Sequence, residues 1–147
     1  ESLAKSLKSL DQLSTLKLAM YNNDLIDPKT YWRLWDAVKE LHNLEVFEIR
    51  TGSMQNVYAL ENEGLRRLGE IVANSTKLKK INFTLRGSLE FKDHSVMELG
   101  EDIIKSKSLR DIEIHFMRCK NISPEGLSSL KNMLQQMSHV KILTVRF

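Results

Sequence analysis

Apolar residues recur along this chain in a unit that appears five times. Leu13, Leu16 and Leu18 are matched by Leu44, Phe47 and Ile49, by Leu78, Ile81 and Phe83, by Leu109, Ile112 and Ile114, and by Val140, Leu143 and Val145. Over the last four positions of each copy, apolar residues alternate with mostly polar ones, which is the period of a short strand with one buried face. Strands are therefore predicted at 15–19, 46–50, 80–84, 111–115 and 142–146.

A second period precedes each strand. Apolar or small residues stand ten, six and three positions before each start, as in Leu34, Val38 and Leu41, then Leu68, Val72 and Ser75, then Leu99, Ile103 and Ser106, then Leu130, Leu134 and Met137. That spacing marks one face of a helix. Leu3, Leu7 and Leu10 keep the same offsets, so a helix is expected from the first residues onward. Helix starts are marked by Asp27-Pro28 and Ser123-Pro124, a capping residue followed by a proline whose fixed φ suits the first helical position. Asn62 and Asp93 are expected to cap one residue later.

A helix between two strands that point the same way makes the strands parallel. One unit cannot cover its own apolar strand face. Stacking places Leu16, Phe47, Ile81, Ile112 and Leu143 in one buried column and Leu18, Ile49, Phe83, Ile114 and Val145 in the next.

This pattern resembles the leucine-rich repeat, L-x-x-L-x-L followed by a loop and a helix, and among its classes looks most like the ribonuclease-inhibitor type. The unit that carries the likeness best runs from Leu109, Ile112 and Ile114 through Cys119, Ile122, Gly126, Leu127 and Leu130. The family's usual Cys or Asn comes two residues sooner after the strand than Cys119 does, and the equivalent positions hold Asn23, Val57 and Ser88, so its polar ladder is mostly degraded. The resemblance implies an α/β solenoid, a right-handed arc with about five parallel strands on the concave face and helices on the convex one. The whole of 1–147 reads as one such domain, a segment of a longer solenoid. It also implies that a protein partner is bound on the concave face.

The strand residues that alternate with the buried ones point to that face. Reading across, they are Thr15, Lys17 and Ala19; Val46, Glu48 and Arg50; Lys80, Asn82 and Thr84; Asp111, Glu113 and His115; and Ile142, Thr144 and Arg146. Lys17 faces Glu48 across one strand step, and His115 neighbours Arg146 across another. Two readings stand: a solvated sheet face with local ion pairs, or a partner footprint on Lys17, Glu48, Arg50, Asn82, Thr84, Glu113, His115 and Arg146. Tyr21, Met54, Tyr58 and Met117 are read on the loop side, where aromatic and thioether groups suit a protein contact. The segment from Thr51 to Tyr58 carries the three extra residues of the longest unit. Trp32 and Trp35 stand in a helix where the other copies have Arg66, Met97 and Ser128, and Gly69, Gly100 and Lys131. They either fill space against the preceding helix or form an aromatic contact on the outer face.

Composition narrows the function. The 147 residues are 41% hydrophobic and 28% charged, enough for a core without metal or disulfides. A formal charge of +3 with no run of five like charges gives no indication of nucleic-acid binding, and no apolar stretch is long enough to span a membrane. A single cysteine, Cys119, points to a reducing, cytoplasmic setting, whereas the triplets Asn74-Ser75-Thr76, Asn82-Phe83-Thr84 and Asn121-Ile122-Ser123 would be glycan acceptors in a secreted protein. His42, His94, His115 and His139 show no metal-ligand spacing, Cys119 has no nearby histidine in sequence, and the six glycines form no phosphate loop. No catalytic residue, cofactor or metal is expected.

The sequence thus reads as a non-enzymatic interaction or scaffold module. Two alternatives remain open: a regulatory leucine-rich-repeat domain of a larger enzyme, receptor or GTPase activator, and a structural subunit of a large assembly. Because neither end carries a polar capping unit, the end faces are expected to be covered by further chain or another subunit.

Overall fold

The computed structural model describes residues 2–21, 28–52, 62–86 and 90–147. Along them run α1 (Ser2–Leu7), β1 (Thr15–Tyr21), α2 (Pro28–Lys39), β2 (Val46–Gly52), α3 (Asn62–Asn74), β3 (Lys80–Arg86), α4 (Asp93–Ile103), β4 (Asp111–Met117), α5 (Pro124–Leu134) and β5 (Ile142–Arg146). The five strands form one parallel sheet in the order β1-β2-β3-β4-β5. Each helix packs on the helices before and after it, so the chain is a leucine-rich-repeat solenoid with a strand layer and a helix layer.

The register is the expected one. Leu16, Phe47, Ile81, Ile112 and Leu143 are successive partners, as are Leu18, Ile49, Phe83, Ile114 and Val145. Backbone hydrogen bonds lock it where each strand begins: the Glu45 carbonyl accepts from the N–H groups of Lys79 and Lys80, and the Lys79 carbonyl from those of Arg110 and Asp111. Strands β1 to β4 run two residues past their predicted ends. A third inward column, Met20, Thr51, Leu85 and Phe116, extends the alternation to Tyr21, Gly52, Arg86 and Met117. Tyr21 and Met117 are thus strand residues rather than loop residues.

The core is continuous from repeat to repeat. Phe47, Ile81, Phe83, Ile112 and Ile114 are fully buried, and the Phe47 and Phe83 rings meet edge to face at 5.5 Å. Each such side chain contributes on the order of 1.5–3 kcal/mol of transfer free energy. The helix layer supplies the lid through Leu34, Val38, Leu68, Val72, Leu99, Ile103, Leu130 and Leu134, all buried. The first helix differs: Leu7 is buried, but Leu3 and Leu10 are exposed.

Close approach between helices explains two glycines. A Cβ on Gly100 would stand 2.7 Å from the Leu130 Cδ1, and one on Gly126 would stand 2.5 Å from the Asp93 Cγ. The Asp93 carboxylate occupies that space because it is bound to the next helix start. It accepts from both the N–H and the hydroxyl of Ser123, each at 2.7 Å. Ser123 is the N-cap of α5 as predicted, its Oγ accepting from the Gly126 N–H at 3.0 Å. Asp93 is not a cap. It lies inside α4, where Lys92 takes the cap position without a side-chain bond. Asn62 is also inside its helix, and its Oδ1 accepts from the Ser95 hydroxyl one repeat on, at 2.5 Å. Asp27 lies outside the described residues.

Candidate partner-binding face

Alternation along the strands puts one side chain in two on the face opposite the helices. Register then arranges them in rows that cross the sheet. One row is Lys17, Glu48, Asn82, Glu113 and Thr144; the next, two residues further along, is Ala19, Arg50, Thr84, His115 and Arg146. All eight residues expected on the concave face, Lys17, Glu48, Arg50, Asn82, Thr84, Glu113, His115 and Arg146, fall in these two rows. A further row holds Tyr21, Gly52, Arg86 and Met117. Arg86 was missed in the sequence because β3 was ended at 84. The apolar residues Leu85 and Phe116, one period beyond the predicted strands, were the signal that could have found it.

Charge is not spread evenly over these rows. The Lys17 Nζ pairs with the Glu48 carboxylate at 3.3 Å. Glu113 is held from two sides, accepting from the Asn82 amide at 2.9 Å and lying 3.9 Å from the Lys80 Nζ. Both carboxylates of that row are therefore already paired on the face. By contrast, no carboxylate among the described residues pairs with Arg50, Arg86 or Arg146. Arg50 and Arg146 are exposed and Arg86 is half-buried. The stem of Arg86 lies beside Gly52, where a Cβ would come within 2.7 Å of the Arg86 Cβ. The row that includes Arg86 ends at Tyr21 and Met117, which are 48% and 43% exposed. Between Thr84 and Arg146, the His115 Nε2 is shielded from solvent without a hydrogen-bond partner among the described residues.

The tryptophans lie on the other layer. Trp35 is 1% exposed and packs edge to face on Phe47 at 6.4 Å, so it is a core residue and offers no outer-face contact. Its ring fills space against the next strand. Trp32 is half-buried beneath the Arg67 guanidinium of the following helix, 5.6 Å from its ring centroid. Arg67 also binds Asp36 and Glu63, while Arg66 binds Glu63 and Glu70, so α2 and α3 are joined by a charged seam over the indole. The hydrogen bond from Arg66 holds the Glu63 carboxyl below its ordinary range; burial opposes it, and a hydrogen bond from Arg67 adds to the lowering. Met54 and Tyr58 lie outside the described residues.

Cys119 is buried at the loop position expected from the repeat, with its Sγ 3.8 Å from the Leu85 carbonyl oxygen. His139, beyond the last helix, contacts the Ser106 carbonyl at 3.1 Å, a bond between neighbouring repeats. Among the described residues no group of three or more His, Cys, Asp or Glu side chains could hold a metal ion, and no helix is long and apolar enough to cross a membrane.

The parallel strand order, repeat register and helix layer define a leucine-rich-repeat-like protein. No protein-family model matches the chain, and no curated protein matches it by sequence. Among solved structures it is similar to leiomodin-1 actin-binding site 2, with a TM-score of 0.70 over 99% of this chain and 78% of that one, at 9% identity. The likeness is one of fold.

Proposed function

We propose that this chain is a non-enzymatic interaction module that binds a protein partner on its concave sheet face. The observation that carries the reading is the contrast between the two sides of one sheet. Inward residues such as Phe47, Ile81 and Ile112 are fully buried, while the outward rows present exposed and half-buried polar groups on that rigid base. A packed sheet holds such side chains in place, which limits the ordering cost of binding. The repeats are assigned to the ribonuclease-inhibitor type, on the strength of the unit from Leu109 to Leu130. A cytoplasmic setting accords with a lone, buried Cys119. Both end faces are proposed to be covered, since Leu3 and Leu10 at one end and Phe147 at the other are large exposed apolar groups.

Crosslinking mass spectrometry on native material tests the reading. Links from Lys17, Lys80, Glu48 and Glu113 to a second protein are expected. Links confined to outer-helix lysines such as Lys39 and Lys131 would overturn it. Actin is the first purified client to assay, because the neighbouring structure carries an actin-binding site on this scaffold.

A further inference from the structure

The concave face divides into a self-neutralised row and an unneutralised one, and this sorts its possible partners. Glu48 is paired with Lys17, and Glu113 with Lys80 and Asn82. Two residues along the strands, Arg50 and Arg146 stand exposed with His115 between them, and Arg86 lies one further row on, all without a carboxylate among the described residues. We propose that Arg50, Arg86 and Arg146 form the docking strip for an acidic segment of a partner protein. This rests on the concave-face reading above and specifies its chemistry.

Geometry sets the size of the segment. Neighbouring strands are about 4.8 Å apart, so the three steps from β2 to β5 span roughly 14 Å. A helix rising 1.5 Å per residue covers that distance in about ten residues. Guanidinium groups suit carboxylates because their planar fork can donate two parallel hydrogen bonds. Gly52 leaves the space that the Arg86 stem occupies, which fixes the start of that side chain on the face. A nucleic-acid strand fits less well. Exposed Tyr21 and Met117 at the ends of the outermost row suit a peptide with apolar flanks rather than a phosphate backbone.

The test uses fluorescence polarisation of the full chain with a labelled twelve-residue peptide carrying four glutamates among leucine and alanine. Its partners are the same peptide with glutamines and a labelled twelve-nucleotide oligo-dT. The acidic peptide should bind, weaken as salt is raised, and lose at least tenfold in affinity to R50E/R86E/R146E. R50Q/R86Q/R146Q should show a smaller loss, which guards against misfolding of the reversed variant, and a thermal melt checks both. A control reversal on the helix side, K92E/K107E/K131E, makes the same change in net charge and should alter affinity less than twofold.

The proposal fails if the glutamine peptide binds equally well, if the control reversal weakens binding as much as the concave one, or if oligo-dT binds more tightly than the peptide. A native partner that crosslinks to the concave face yet binds the charge-reversed protein normally would overturn the acidic-segment assignment and leave the concave-face function standing. Crosslinks confined to the helices would remove the function itself.

Discussion

The carboxylate of Asp93 holds the N-cap of the following helix, accepting from both the backbone N–H and the hydroxyl of Ser123 at 2.7 Å. Those bonds keep the Asp93 carboxyl below its ordinary value of 3.8, the Ser123 hydroxyl contributing most and the backbone N–H next. A depressed folded-state pKa gives stability that is present above the unfolded value and lost as pH falls through the folded one. Asp93→Asn should therefore lower the urea midpoint at pH 7, with the difference from the parent shrinking below about pH 4. Equal differences at pH 7 and pH 3 would contradict a role for the charge.

Gly126 shares that joint. A Cβ there would stand 2.5 Å from the Asp93 Cγ, and the short Asp93 side chain is held by its two bonds to Ser123. Gly126→Ala should destabilise by about 1–3 kcal/mol, as overpacking does. In an Asp93→Ala background the same substitution should cost clearly less. A double-mutant cycle by denaturant unfolding measures the coupling, and strict additivity would count against the contact.

Trp35 separates the core from the surface reading of the two indoles. Trp35→Ala should destabilise by roughly 3–5 kcal/mol, the range for emptying a large aromatic site. Trp35→Phe should cost much less, because the buried indole Nε1 has no partner to lose among the described residues. With Trp32→Phe in place, emission from Trp35 alone should be blue-shifted and resist acrylamide quenching. Red-shifted, readily quenched emission would move Trp35 out of the core.

Binding and folding should be separable on the concave face. The Lys17–Glu48 pair leaves the Lys17 side chain 63% exposed, and Arg50 and Arg146 are exposed without ion-pair partners among the described residues. Lys17→Ala, Arg50→Ala and Arg146→Ala are each expected to change stability by less than about 1 kcal/mol. Thermal melts check this, and a large loss would show that the face serves the fold.

Cys119 should behave as a shielded thiol. Its Sγ is enclosed near the Leu85 and Met117 carbonyls, so labelling by a thiol reagent should be slow in the native protein and fast in urea. Rapid native labelling would contradict that burial.

Repeat periodicity alone determined the element order, the parallel sheet and the two buried columns from Leu16 to Leu143 and from Leu18 to Val145. Those features follow from local alternation and a constant spacing, because neighbouring copies bury each other's apolar strand face. The same register brought Lys17 to Glu48. Tertiary structure decided what spacing leaves open. The strands gained two residues when the column of Met20, Thr51, Leu85 and Phe116 was covered, and that placed Arg86 on the concave face. Asp93 was turned from a cap into a cross-repeat acceptor by the nearness of Ser123, a contact between residues 30 apart. Trp35 entered the core because Phe47 stood within reach. Above all, which charges on the face were neutralised depended on how far each side chain extends across a strand step, and only three-dimensional placement separates Glu48 and Glu113, both paired, from Arg50, Arg86 and Arg146.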